Sequence, residues 1–184
     1  MNIMVSDRVP DARAAMKAGE PIAYSTASSA FGLLLVARSA AGVCSIQIGE
    51  DRQTLEAELV AAFPNARLVM DHGAVSEDIG KVMRFIETPA AGLNLKLDMR
   101  GTPFQRKVWD MLRTIPAGVT VSYNELAERL GEPGAARAVA SACAANKLAL
   151  AVPCHRVVRS DGNLAGFRWG IERKRHLLDR EVAA

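Results

Sequence analysis

The chain is poor in cysteine: Cys44, Cys143 and Cys154 are the three in 184 residues. Their number is odd and no two have Cys-x-x-Cys spacing, which argues against a disulfide framework and a thiolate zinc site and favours a reducing compartment. The first 20 residues contain no apolar run of the kind a leader peptide needs, and the longest weakly polar stretch, Ala138 to Val152, is broken by Asn146 and Lys147. Neither a signal peptide nor a membrane span is expected, so the sequence reads as cytoplasmic, acting at the nucleoid if its partner is DNA. Internal repeats, low-complexity linkers and cofactor motifs are missing too. No metal and no cofactor is expected.

What is present is a foldable core, since 49% of the residues are hydrophobic. The net charge of +3 hides an uneven split: residues 98–184 carry 14 Lys/Arg against 9 Asp/Glu, and residues 1–97 carry 9 against 11. A basic C-terminal half favours a polyanionic partner.

Three apolar runs, Ile22–Tyr24, Phe31–Val36 and Val43–Ile48, are separated by turn residues and predict consecutive hairpin strands. Leu55, Leu59, Val60 and Phe63, then Val75, Ile79, Val82, Met83 and Ile86, recur at helical spacing, with a short run at Leu68–Met70 between them. Leu93, Leu95, Leu97 and Met99 alternate as a strand would. Residues 22–97 therefore read as a small α+β scaffold domain after an N-terminal extension, 1–21. Ala90-Ala91-Gly92 is the expected flexible point.

From residue 98 the pattern becomes helical. Thr102-Pro103 is an N-cap with proline at the first helical position, and Ser122-Tyr123-Asn124-Glu125 has the form of a capping box. Pro133-Gly134 turns the chain into a third helix, Ala135 to about Ala145. A short strand, a turn at Cys154, Val157-Val158 and a final helix follow. Residues 98–184 thus read as a winged-helix-like domain containing a helix-turn-helix.

The chemistry concentrates in Pro153-Cys154-His155-Arg156-Val157. A thiol beside an imidazole is a nucleophile candidate. Adjacent residues of extended chain point apart, so activation needs a turn or a bridging water. Pro153 fixes the backbone before the thiol. The third helix is built of Ala135, Ala136, Ala138, Ala140, Ser141, Ala142, Ala144 and Ala145 with one long side chain in its first turns, Arg137. Such a thin helix can approach a groove closely, with Arg137 as a probe.

Together these motifs resemble the O6-alkylguanine-DNA alkyltransferases, and most nearly the C-terminal half of the bacterial adaptive-response members. The resemblance rests on Gly101-Thr102-Pro103-Phe104-Gln105, Val108-Trp109, Arg113-Thr114-Ile115-Pro116, Ser122-Tyr123, Ala136-Arg137-Ala138-Val139-Ala140, Ala144-Ala145-Asn146, Pro153 to Val158, and Gly166-Phe167-Arg168-Trp169-Gly170. It implies a ribonuclease-H-like α/β domain followed by a helix-turn-helix domain. The implied partner is double-stranded DNA carrying O6-alkylguanine, bound through the minor groove by a monomer. The implied reaction is irreversible transfer of the alkyl group from O6-methylguanine, with O4-methylthymine as a further candidate, to Cys154, once per molecule.

The resemblance also assigns roles. His155 takes the thiol proton through a water and Glu181 orients it. Asn146 is a hinge, Tyr123 crowds the target phosphate and donates towards the base, and Arg137 fills the gap in the stack. Ala135, Ala136, Ala138 and Ala140 face the DNA. Lys174 sits near a pocket where the Cys154 and Val157 carbonyls and the Arg168 amide recognise guanine, and Phe167, Arg168 and Trp169 narrow the entrance. Three cysteines cannot supply the four-cysteine zinc domain of full-length adaptive-response proteins, and residues 1–21 are too short for their regulatory segment. A DNA-binding regulator without chemistry and a Cys-His hydrolase are the competing readings: the presence of Cys154 disfavours the first and the want of an oxyanion hole the second.

Overall fold

The computed structural model describes residues 19–164 and 166–183. Most of the expected extension, residues 1–18, lies outside them. Its last residues belong to the fold, because β1 (Pro21–Ser29) begins there and Glu20 pairs with Arg100 at 2.8 Å.

Strand β1, β2 (Gly32–Arg38) and β3 (Val43–Gly49) form an antiparallel meander. Helix α1 (Arg52–Ala62) carries the chain back to β4 (Arg67–Met70), which joins β1 in parallel, giving the order β3-β2-β1-β4. The continuous apolar run of β2 has a simple cause. Leu34 and Val36 point to one face and Leu35 and Ala37 to the other, and both faces are covered. Leu55 and Leu59 of α1 pack with Leu35, Ala37 and Ile22. Helix α2 (His72–Glu87), capped by Asp71, lays Val75, Ile79, Val82, Phe85 and Ile86 on the opposite side.

Residues 93–99 are not the regular strand that their alternation predicts. Leu97 makes one isolated parallel bridge to Val43. The free edge of β3 is divided between two segments: the Val43 amide donates to Lys96 and the Asp98 amide to Val43, while the Ile46 amide donates to Lys147 and the Ala149 amide to Ile46. Neither segment has room for a longer ladder, and together they shield the edge. The expected strand before Cys154 is likewise a single bridge, Ile46 to Leu148. Gly42 permits the first crossing, since a Cβ there would lie 2.5 Å from the Lys96 carbonyl oxygen. Residues Pro89–Ala91, at the point expected to be flexible, form a 3-10 turn.

Beyond it, α3 (Pro103–Arg113) and α4 (Tyr123–Arg129) both open with complete capping boxes, at Thr102/Gln105 and Ser122/Glu125. Helix α5 (Ala136–Ala144) turns Val139, Ala142 and Cys143 inward, and the Trp109 indole N–H donates to the Ala142 carbonyl at 2.8 Å, fixing α3 against α5. Strands β5 (Val121–Ser122) and β6 (Val157–Val158) pair in parallel, and α6 (Ile171–Val182) closes the chain. One hydrophobic cluster runs from Leu34, Val36 and Val82 to Trp109, Val152 and Leu177, so the two halves share a core. Among the described residues no helix is long and apolar enough to cross a membrane.

Candidate active site

The nucleophile candidate is held by a sequence of tight turns. After α5 the Asn146 side chain donates to the Val152 carbonyl at 2.9 Å and to Cys154 Sγ at 3.2 Å, while its Oδ1 accepts from the Leu148 amide at 2.8 Å. Three bonds from one buried amide thus join the end of the helix, the β3 edge segment and the thiol. Within this span the Ala151 amide donates to the Ala149 carbonyl at 2.7 Å around Leu150, whose φ is +69°. That is a γ-turn of the rare, strained kind, costing about 1–3 kcal/mol and held by the burial of Leu150. A second, unstrained γ-turn follows, from the Cys154 amide to the Val152 carbonyl at 2.8 Å around Pro153, at φ −80° and ψ 62°. The proline ring already fixes φ near that value.

Cys154, His155 and Arg156 then form a 3-10 turn, which separates the thiol and imidazole directions. The thiol borders a cavity of about 290 Å³ lined by Tyr123, Ala140, Cys143, Ala144, Cys154, Gly166, Phe167 and Arg168. The imidazole, 0% exposed, turns instead to Glu181, with Nε2 2.8 Å from Oε1. Arg156 donates to both oxygens of the same carboxylate, at 2.8–3.2 Å, and to the Ile115 carbonyl. The Gly118 amide adds a third group on Glu181, at 3.2 Å.

Burial raises the Glu181 carboxyl, but the bonds from His155 and Arg156 outweigh it and hold the group at about 2. Burial pulls His155 below its ordinary value, against the opposing pull of Glu181. A neutral imidazole beside an ionised carboxylate must carry its proton on Nε2, which leaves Nδ1 as a basic lone pair with no partner among the described residues. Burial pushes the Cys154 thiol up, while the Asn146 bond and the Lys174 charge favour its thiolate. Tyr123 opens α4 one residue after β5, whose partner β6 follows the Cys154 turn, so the β5/β6 register sets both beside the cavity. Burial and the two cysteines raise its phenol to about 12.

Cys154, His155, Glu181 and Asn146 are thus brought together, and Tyr123, Phe167 and Arg168 line the cavity beside the thiol. Arg137 is exposed on α5, on the same stripe as Ala138, Ser141 and Ala144. Ala135 and Ala136 are half-buried at the start of that helix, and Ala140 lines the cavity. Three expected pocket residues do not border the cavity. Trp169 is buried in the core with Leu177 of α6, its ring edge-on to Phe167 with the centroids 5.2 Å apart. The Lys174 ammonium is wholly buried and donates to the Val157 carbonyl at 2.6 Å, so both groups serve to hold α6 against the nucleophile turn. Sequence reasoning also missed Arg156, Gly118 and Cys143. An arginine between Val152 and Val158 demands a buried counter-charge, and Cys143 shares the inward face of Val139 and Ala142. Those were the available signals.

Comparison with known proteins gives a consistent result. The family described as "6-O-methylguanine DNA methyltransferase, DNA binding domain" matches residues 103–183. The bifunctional transcriptional activator/DNA repair enzyme Ada of Escherichia coli is 49% identical over 166 residues, covering 89% of this chain and 47% of that protein. The chain therefore spans about half of that relative's length. The methylated-DNA–protein-cysteine methyltransferase of Mycobacterium bovis is 39% identical over 160 residues, covering 87% of this chain and 92% of the other. Among solved structures, the Mycobacterium tuberculosis OGT in complex with DNA superposes with a TM-score of 0.69 at 34% identity, covering 88% of this chain and 93% of that one. The mixed α+β fold is common to both.

Proposed function

The chain belongs to the methylated-DNA–protein-cysteine methyltransferase family, and on that premise we propose that it repairs DNA by moving the alkyl group of O6-methylguanine onto Cys154, irreversibly and once per molecule. The observation that carries this reading is the buried cluster in which Asn146 bonds the Cys154 sulfur while Glu181, itself held by Arg156, fixes the His155 ring of the next residue. A thiol raised by burial must lose its proton before it attacks. His155 Nδ1 is the base, reached through a bridging water, and Glu181 stabilises the imidazolium that forms. The thiolate attacks the methyl carbon in line, the carbon–O6 bond breaks, and guanine leaves with the electron pair. Tyr123, whose phenol stays protonated at neutral pH, donates to the leaving base. The described residues form no group of three or more metal-binding side chains that could hold an ion.

The substrate enters from the α5 face. In this reading residues 22–97 are a ribonuclease-H-like scaffold and residues 98–184 a winged-helix-like domain whose α5 lies in the minor groove, with Ala136 and Ala138 close to the backbone and Arg137 in the base stack. The protein acts as a monomer in the cytoplasm. That a relative has been solved in complex with DNA supports the choice of partner. The test is a titration with excess duplex carrying one O6-methylguanine per molecule. One methyl group per chain, after which reaction stops, is expected; continued turnover would overturn the proposal.

A further inference from the structure

The mechanism uses one thiol of the cavity and leaves the other unexplained. Cys143, on the last turn of α5, lines the same cavity of about 290 Å³ as Cys154. The two are tied through Asn146, whose backbone amide donates to the Cys143 carbonyl at 3.2 Å and whose side chain donates to Cys154 Sγ at 3.2 Å. Burial keeps both as thiols, a thiolate on Cys154 would disfavour one on Cys143, and the Lys174 charge favours ionisation of either. Tyr123 senses both. Two cysteines therefore line the space into which a transferred group is delivered.

For a methyl group the second sulfur has no consequence, because the thioether formed on Cys154 is inert. For a group that brings its own leaving group it decides the outcome. We propose that Cys143 is a second acceptor, which closes a two-carbon bridge to Cys154 when the lesion is an O6-(2-haloethyl)guanine. This rests on the reading of Cys154 as the alkyl acceptor. In the first step the Cys154 thiolate attacks the carbon bonded to O6, the carbon–oxygen bond breaks, and guanine departs with the electron pair and takes up a proton. Cys154 then carries a 2-haloethyl thioether. Its sulfur expels halide to give a three-membered sulfonium ring. Cys143 opens that ring, loses its proton to water, and leaves a sulfur–ethylene–sulfur bridge, halide and one proton.

The competitor is hydrolysis. Burial pushes the Cys143 thiol up to about 12, so about one molecule in 10⁵ carries the thiolate at neutral pH. A well-oriented intramolecular acceptor reaches an effective concentration of about 10⁵ M or more, the scale needed to offset that fraction, and Cys143 lines the same mainly apolar cavity as the sulfonium ring. The bridged fraction should accordingly grow with pH.

The test treats the full chain with duplex DNA containing O6-(2-chloroethyl)guanine and, in parallel, O6-methylguanine, followed by peptide mapping. Methyl transfer to Cys154 in the parallel reaction reports the underlying reading on its own. The expected chloroethyl product joins the Cys143 and Cys154 peptides by two carbons, with no free thiol at either, and Cys143→Ser should yield the hydroxyethyl thioether on Cys154 instead. In a preparation that accepts methyl, a hydroxyethyl group on Cys154 with Cys143 free, a protein–DNA cross-link in place of the bridge, or no chloroethyl transfer would each overturn the inference. Failure of methyl transfer itself would strike at the repair reading.

Discussion

The two halves of the molecule bury different things. In residues 19–97 the buried polar side chains are Ser25, Ser39, Ser45, Gln47 and Asp78, four of them uncharged; in residues 98–183 they include Asn146, His155, Arg156, Lys174 and Glu181. The halves also contrast in their cysteines. Cys44 donates weakly to the Ala37 carbonyl within the sheet, whereas Cys154 receives a side-chain amide and adjoins an imidazole held by a carboxylate. Burial raises both thiols. Burial alone therefore does not mark a nucleophile; what marks one is the cost of the polar groups gathered around it, each of which needs a partner.

The cysteines of the two halves should not be exchangeable. Cys154→Ala should abolish methyl transfer while leaving DNA affinity largely intact, and Cys44→Ala should retain transfer, both measured with labelled O6-methylguanine in duplex DNA. The next largest difference is in stability. Arg156→Met leaves Glu181 buried without its main counter-charge and should cost about 3–5 kcal/mol in urea unfolding. Lys81→Met, which breaks the exposed Lys81–Glu77 pair of α2, should cost less than about 0.5 kcal/mol. Equal losses would mean that the buried network has no special standing.

A third contrast lies within α5, between its inward face and its exposed stripe. Arg137→Ala should slow repair of duplex DNA by roughly tenfold, about 1.4 kcal/mol, and reaction with free O6-methylguanine far less, because unstacking is needed only in the duplex. Equal slowing on both substrates would remove Arg137 from base extrusion. The effect of pH is smaller at any single step. Below 6.5, the ordinary value for histidine, the unfolded chain takes a proton that folded His155 resists, so stability declines. Glu181 adds a further loss as pH falls from 4.5 towards about 2. Melting temperature against pH should show both limbs, and Glu181→Gln should flatten the lower one.

Much of this was legible in the sequence, for local reasons. The N-cap at Thr102, the capping box at Ser122, the apolar spacing of α2 and the proline before Cys154 act within a few residues, and they appear in the structure where they were expected. What failed was what depends on distant partners. The alternation of Leu93 to Met99 could not reveal that β3 has an edge already shared with residues 147–149. Arg156 finds its carboxylate 25 positions away. The side of the turn that Trp169 occupies, like the carbonyl that Lys174 reaches, is decided by the packing of α6 and not by neighbours in the chain.

One cysteine of three is the methyl acceptor in this reading because of the groups around it. Peptide mapping after reaction with duplex DNA carrying isotopically labelled O6-methylguanine tests it most directly. Label on Cys154 alone is expected, in a ratio of one to the protein. Label on Cys44 or Cys143, or spread among the three thiols, would contradict it.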